Sequence, residues 1–310
     1  MSARPRYADL PDGSAWEILD PRLGSLELLT PERVTSAARL VKSGRRFPLD
    51  LRLDLPSPPF FGREPFAHEV FSLGMENVYD DKLDNFFPQS STQWDGFGHF
   101  GHVEKGFFGG RRGSDVEAKT LGIEAWSESG IAGRGVLLDV ARHADIPGDT
   151  SFVVTIDHLD ETAKAQGVKL QMGDVLCVRV GWLGWYLGLD AAGRKAVSDG
   201  SRDYTFANFH TPGLAPGPAV AEYLWDHGVA AIAVDNPGVE PFGPGGIGAP
   251  GDSVHTRVLA LLGIPLGEFF DFEALAEDCA ADGVYEFLFT SKPLGIPGGL
   301  GSPPNAIAIK

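Results

Sequence analysis

Residues 218–234, PAVAEYLWDHGVAAIAV, read as a helix over 218–227, a stop at Gly228 and a strand over 229–234. Proline suits the first helical turn, where its missing amide donor loses no partner, and glycine reaches the left-handed angles that end a helix. Six small and branched apolar residues without alternation are the pattern of a strand covered on both faces. The same pattern recurs at 135–140 (GVLLDV) and 174–180 (DVLCVRV), with residues 155–166 between them reading as a capped helix that ends at Gly167. Upstream, Thr30-Pro31-Glu32 opens a helix whose apolar positions Val34, Ala37, Ala38 and Val41 follow at helical spacing until Gly44. Downstream, a helix over 272–281 precedes strands at 284–290 and 306–309. Strands alternating with helices predict an α/β fold with a mixed, largely buried sheet. No repeat and no composition break divides the chain, so one domain is expected over 1–310, with 1–45 as an N-terminal extension carrying one helix.

The chain has 310 residues, 43% of them apolar, and a net charge of −16 with an isoelectric point near 4.8. That charge repels nucleic acid and anionic bilayers, and the paired arginines Arg45-Arg46 and Arg111-Arg112 make no basic patch large enough to reverse it. Cys177 and Cys279 lie far apart with no second ligand at metal spacing, so buried free thiols are expected. No apolar run approaches a membrane span, and no leader is legible, so a soluble cytoplasmic protein with no membrane partner is expected. Glycine and proline gather at 107–113, 212–218 and 237–251 as shaped loops.

Polar residues capable of ligation or proton transfer crowd one short stretch: Gln89, Gln93, Asp95, His99 and His102, interleaved with Trp94, Phe97 and Phe100. Pro88 and the glycines at 96, 98, 101 and 106 predict a turning backbone there, on which side chains can converge. His102 is read as structural.

Thr92-Gln93-Trp94-Asp95, followed by His99, resembles the cyclase family that includes bacterial kynurenine formamidase and isatin hydrolase, whose signature is H-x-G-T-H-x-D-x-P-x-H. Thr92, Asp95 and His99 match it in type and spacing. Its two metal-binding histidines fall on Gln89 and Gln93, its glycine on Ser91 and its proline near Phe97, all unmatched. The resemblance continues in order through Gly173-Asp174-Val175, Arg179-Val180-Gly181-Trp182, the pair His210 and Glu222, the strand ending Asp235-Asn236-Pro237, Gly263-Ile264-Pro265-Leu266-Gly267-Glu268 and Gly301-Ser302-Pro303. It covers roughly residues 45–310 and implies a swivelling β/β/α-type fold.

The resemblance implies a metal-dependent hydrolase of amidohydrolase or lactonase type, opening an amide, cyclic amide or lactone carbonyl. A divalent ion polarises a carbonyl and lowers the pKa of bound water toward ~7, and a nearby histidine moves the protons. Asp95, His210 and Glu222, with Gln93 and Gln89, are the expected metal ligands, and His99 the catalytic residue. Amide oxygens are weaker donors than imidazole, so one ion, Mn²⁺ or Zn²⁺ with Mg²⁺ as a further candidate, is expected rather than two. Trp94, Phe97, Phe100 and Trp182 are the expected contacts to a small, ring-containing substrate. Homodimers or homotetramers follow from the resemblance. Two alternatives stand beside this reading: a metal-poor binding protein descended from the hydrolase, and a lyase or cyclase using the metal as Lewis acid.

Overall fold

The computed structural model describes residues 4–244 and 251–310, so residues 245–250 of the expected loop at 237–251 lie outside the described residues. Its strands in chain order begin with β1 (Arg46–Pro48), β2 (Ala67–Ser72), β3 (Tyr79–Asp84), β4 (Gln93–Asp95) and β5 (Ile131–Asp139). They continue with β6 (Val153–Val154), β7 (Val175–Arg179), β8 (Gly213–Leu214), β9 (Ala231–Val234) and β10 (Leu266–Glu268), and close with β11 (Glu286–Ser291), β12 (Gly301–Ser302) and β13 (Ile307–Ile309). Nine of them form one sheet in the order β1-β13-β11-β5-β7-β9-β10-β4-β12. Its middle, β5-β7-β9-β10, is parallel, and its flanks pair antiparallel, which is the mixed sheet expected.

The parallel strands read as continuous apolar runs because helices connect them and cover both faces. All four residues of β9 are buried. Helix Pro218–Asp226 precedes β9 and turns its Val220, Ala221, Tyr223, Leu224 and Trp225 inward. Helix Ile156–Gln166 lies between β5 and β7, ending at Gly167 as expected. At the end of β5, Asp139 caps the short helix Val140–Ala144 by accepting from Arg142 N at 3.2 Å, so the strand stops one residue before the sequence pattern does. The N-terminal helix is also shorter than expected, Pro31–Ala38, because only Ala37 is buried and packing beyond it gives no reason to continue.

Several elements were not anticipated, among them two helices and a hairpin. Helices Trp182–Gly188 and Ala191–Ser201 carry glycines that lower helix propensity, and tertiary packing overrides it: Trp182 stacks on Tyr186 at 5.1 Å within a cluster that includes Phe60, Phe209 and Phe269. The hairpin β2–β3 is almost wholly exposed, with Val70 and Tyr79 more than 60% accessible. Both cysteines are buried free thiols. No helix among the described residues is long and apolar enough to cross a membrane.

Asp235 ties the ends of two central strands together. It is fully buried after β9 and accepts from Val180 N at 2.6 Å and Gly181 N at 2.9 Å, just past β7. Burial pushes its carboxyl up to about 7, against those amides and Arg179. Asp235→Ala would leave the buried amide of Val180 and the part-buried amide of Gly181 without an acceptor, at about 1–3 kcal/mol for the buried one, and urea unfolding is expected to show that loss. An unchanged midpoint would show that water replaces the carboxylate.

Candidate functional site

The centre is built from β4 outward. Thr92 pins the chain entering it: its hydroxyl donates to Phe269 O at 2.7 Å and accepts from Leu51 N at 2.8 Å. Alternation along a strand then sends Gln93 and Asp95 to one face and Trp94 to the other. Trp94 enters the core against Phe270 and Phe289 and donates its indole N–H to Ser291 Oγ at 2.9 Å. Across the antiparallel pair, Gln93 faces Glu268, Trp94 faces Gly267 and Asp95 faces Leu266. Gly267 is required there, since a Cβ would stand 2.8 Å from the Trp94 ring and 2.5 Å from that of Phe270. On the other edge Gly301 faces Asp95, and a Cβ there would stand 2.6 Å from Gln89 Cγ.

Asp95 has no exposed surface. Its Oδ1 accepts from Gln89 Nε2 at 2.9 Å and Gln93 Nε2 at 3.4 Å, and Gln93 Nε2 also reaches Glu268 Oε2 at 2.7 Å. His255 Nε2 lies 3.4 Å from Asp95 Oδ2 and 3.2 Å from Glu268 Oε1. On its other side, His255 Nδ1 meets Glu240 Oε2 at 2.8 Å and its backbone N–H donates to Glu240 Oε1 at 3.2 Å. Both carboxylates follow or precede backbone held at positive φ, Val239 at 59° and Phe269 at 56°, angles that branched and bulky residues adopt only under constraint. His99 sits on the turn after β4, its N–H bonded to Gly96 O, with Nε2 3.8 Å from Asp95 Oδ1 and 26% of its side chain exposed.

Burial opposes ionisation of Asp95, but His99, His255 and Gln89 outweigh it and hold the carboxyl below its usual range. Burial would likewise discharge His255, yet Glu240, Asp95 and Glu268 raise it well above an ordinary imidazole. Glu268 is pushed up by burial and by the charge of Asp95. His99 is lowered, mainly by burial, with His255 and Arg63 acting in the same sense against Asp95. The arrangement is therefore an ionised Asp95 with its counter-charge on His255, beside a neutral His99.

Gln93 Oε1 is buried and accepts no hydrogen bond, and Asp95 Oδ2 is faced only by His255 Nε2, at 3.4 Å. Buried acceptors left without donors call for a cation or a water. Asp95, His99 and His255 each present one ligand atom within 4.8 Å of the others. This donor set, a carboxylate, imidazoles and an amide oxygen, fits a divalent ion.

The structure does not bring His210 and Glu222 to Asp95. His210 Nδ1 is bonded to Ser151 Oγ at 3.0 Å in a loop, and Glu222 lies on the exposed face of helix Pro218–Asp226. The expectation that they complete a metal site is corrected here: the group that converges within 4.8 Å is Asp95, His99 and His255. Trp94, Phe97 and Trp182 are also corrected as substrate contacts, because all three are core: Phe97 packs on Phe108 and Trp126, and Trp182 on Phe60 and Tyr186. Phe100 alone stays at the site, half-buried with its ring 5.1 Å from that of His255. His102 is structural, accepting at Nδ1 from the backbone of Glu104 and Lys105. Sequence reasoning missed His255, Glu240 and Glu268. Glu240 stood in the glycine- and proline-rich stretch 237–251 and Glu268 in the matched stretch 263–268, but the pairing of Glu268 with Gln93 depends on the β4–β10 register. A cleft of about 590 Å³ shares Pro88, Ser90 and Ser91 with the loop bearing Gln89, but none of Asp95, His99 or His255 lines it.

The family model of the Cyclase family matches residues 49–241. The crystal structure of a novel cyclase superposes with a TM-score of 0.82 at 30% identity, covering 96% of this chain and 99% of that one. Isatin hydrolase A from Ralstonia solanacearum gives 0.60 at 18% identity, covering 90% and 97%. An isatin hydrolase bound to the product analogue thioisatinate gives 0.55 at 16%, covering 90% and 98%. A comparison with curated proteins finds no significant match. The swivelling fold, the run from Thr92 to His99 and the family match over most of the chain lead to one assignment: the chain belongs to the cyclase family.

Proposed function

We propose that this chain is a metal-dependent hydrolase that opens the carbonyl of a small amide, cyclic amide or lactone. The observation that carries the reading is that Asp95, His99 and His255 each bring a ligand atom within 4.8 Å of the others, with His99 at the accessible edge and the donorless Oε1 of Gln93 on the same strand face as Asp95. Asp95, His255 and Gln93 would hold one divalent ion, Mn²⁺ or Zn²⁺. When bound, it supplies polarisation of the carbonyl and a lowered pKa for water.

The remaining chemistry belongs to the chain. Gln89 holds Asp95 by donating to Oδ1, which leaves Oδ2 toward the ligand side. Glu240 fixes His255 through Nδ1 and so directs Nε2 at Asp95, the outer partner that ligating histidines commonly carry. His99 Nε2 takes a proton from water as its oxygen adds to the carbonyl carbon, then returns it to the departing nitrogen or oxygen as the C–N or C–O bond breaks. A carboxylate and an amine or alcohol remain. Phe100 offers an apolar wall beside this centre, consistent with a ring-bearing substrate.

Two experiments test these roles. Metal analysis of protein purified without chelator should find one divalent ion, which Asp95→Asn and His255→Ala lose and His99→Ala keeps while turnover of amide and lactone panels vanishes. No stoichiometric metal in the parent defeats the hydrolase reading. Loss of metal in His99→Ala makes His99 a ligand instead. Second, His255 is raised and therefore protonated at neutral pH in the metal-free protein, so ion uptake must displace a proton and affinity must climb as pH rises from about 6 to 8. Calorimetry in buffers of different ionisation enthalpy should give a buffer-dependent heat, and identical heats would remove His255 from the ligand set.

A further inference from the structure

The cleft that shares Pro88, Ser90 and Ser91 with the Gln89 loop has a volume of about 590 Å³, within the range that small-molecule sites occupy. Its walls are set before anything binds. Pro56, Pro59, Pro65, Pro88 and Pro303 all face it, and a proline ring fixes its own backbone angle, so this lining has little freedom left to lose. With them stand the half-buried rings of Phe66 and Phe86, edge to face at 6.4 Å and 78°. Leu53 and Phe87, 39% and 38% exposed, add apolar surface left open to solvent.

The charged groups of the lining are already engaged. Arg52 donates from Nε and Nη2 to the two carboxylate oxygens of Asp54, at 3.0 and 2.6 Å. His68 Nε2 meets Asp81 Oδ2 at 2.7 Å, and Glu64, itself exposed, accepts from Asn85 Nδ2 at 3.2 Å. An anion entering here finds no unpaired cation and meets the charge of Glu64. A cation gains only from Glu64, which stands in water with a partner of its own. The hydroxyls of Ser57 and Ser90, by contrast, make no hydrogen bond among the described residues. Both residues are held by their backbones, Ser57 N donating to the Tyr186 hydroxyl and Ser90 N to Phe87 O, each at 3.0 Å. What the cleft leaves free is therefore neutral: apolar faces, and hydroxyls that can donate or accept.

We propose that this cleft is a second ligand site, separate from Asp95, His99 and His255, which takes a neutral, ring-bearing molecule carrying an amide or ester carbonyl. The ring lies on the proline and phenylalanine faces, and the carbonyl accepts from a serine hydroxyl. Naming that occupant as the unopened form of the substrate rests on the proposed hydrolysis; its binding does not. The opened product, a carboxylate, is disfavoured by the same lining. A substrate gathered here is held against the loop that steadies the centre, since Pro88 and Ser90 face the cleft while Gln89 between them donates to Asp95 Oδ1 at 2.9 Å.

The test compares naphthamide, naphthoate and naphthylmethylammonium, which share a ring system and differ in charge, by calorimetry on chelator-treated full-length protein. The parent should bind the amide about tenfold or more tightly than either ion. Leu53→Trp, which fills the cleft from an exposed position, and Phe86→Ala, which removes a ring, should each weaken the amide about fivefold or more, whereas His99→Ala should move it less than about twofold. No amide binding in the parent, equal or tighter binding of either ion, unchanged binding in both cleft variants, or loss of binding in His99→Ala would overturn the assignment. Amide binding that depends on Leu53 and Phe86, in a protein that hydrolyses no amide or lactone, would sink the hydrolase reading and leave the second site standing.

Discussion

A carboxylate with no exposed surface governs this molecule. An ionised Asp95 left alone in the interior would cost far more than folding can spare, so every element around it brings a compensating group. β4 supplies Gln93, the loop before it Gln89, and the segment after the glycine-rich loop His255, while Glu268 of β10, itself pushed up by Asp95, accepts from Gln93. Glu240 then holds His255 charged. The backbone strain at Val239 and Phe269 lies beside two of these groups, and is tolerated because the network fixes both.

The two glutamines acquire a physical meaning in this setting. A histidine can either donate or accept at a given nitrogen, whereas a carboxamide does both from one end: its nitrogen steadies Asp95 and its oxygen stays available. Gln93 shows the division, with Nε2 shared between Asp95 and Glu268 and Oε1 left without a donor. The loss of two imidazoles relative to the family signature is thus accompanied by one imidazole arriving from elsewhere in the chain, together with the carboxylates of Glu240 and Glu268.

The elements legible in the sequence were those whose evidence is local. The strand at 229–234 and the helix before it, the cap and stop of helix Ile156–Gln166, and the nearness of Asp95 to His99 all follow from neighbours within a few positions. What escaped depends on pairing between distant segments. Nothing near His255 announces a ligand, and only the β4–β10 register makes Glu268 a partner of Gln93. Trp94 was misread because a three-residue strand was taken for a turn, and strand alternation sends it into the core. Glu222 was misplaced because the spacing carried by the resemblance was followed, whereas its position on the solvent face of helix Pro218–Asp226 keeps it from the centre.

The position of β4 in the sheet also sets the order in which the molecule can be completed. Its neighbours are β10 and β12, at residues 266–268 and 301–302, so a strand made early in synthesis has no edge to join until the last fifth of the chain exists. The bond from Gln93 to Glu268 closes a loop of 175 residues, and contacts of that separation form late and slowly. The parallel strands β5, β7 and β9 can assemble while the chemistry-bearing strand waits. On a growing chain, the polar residues from Gln89 to His99 therefore stay exposed and uncommitted, and the centre takes shape as one of the closing events of folding.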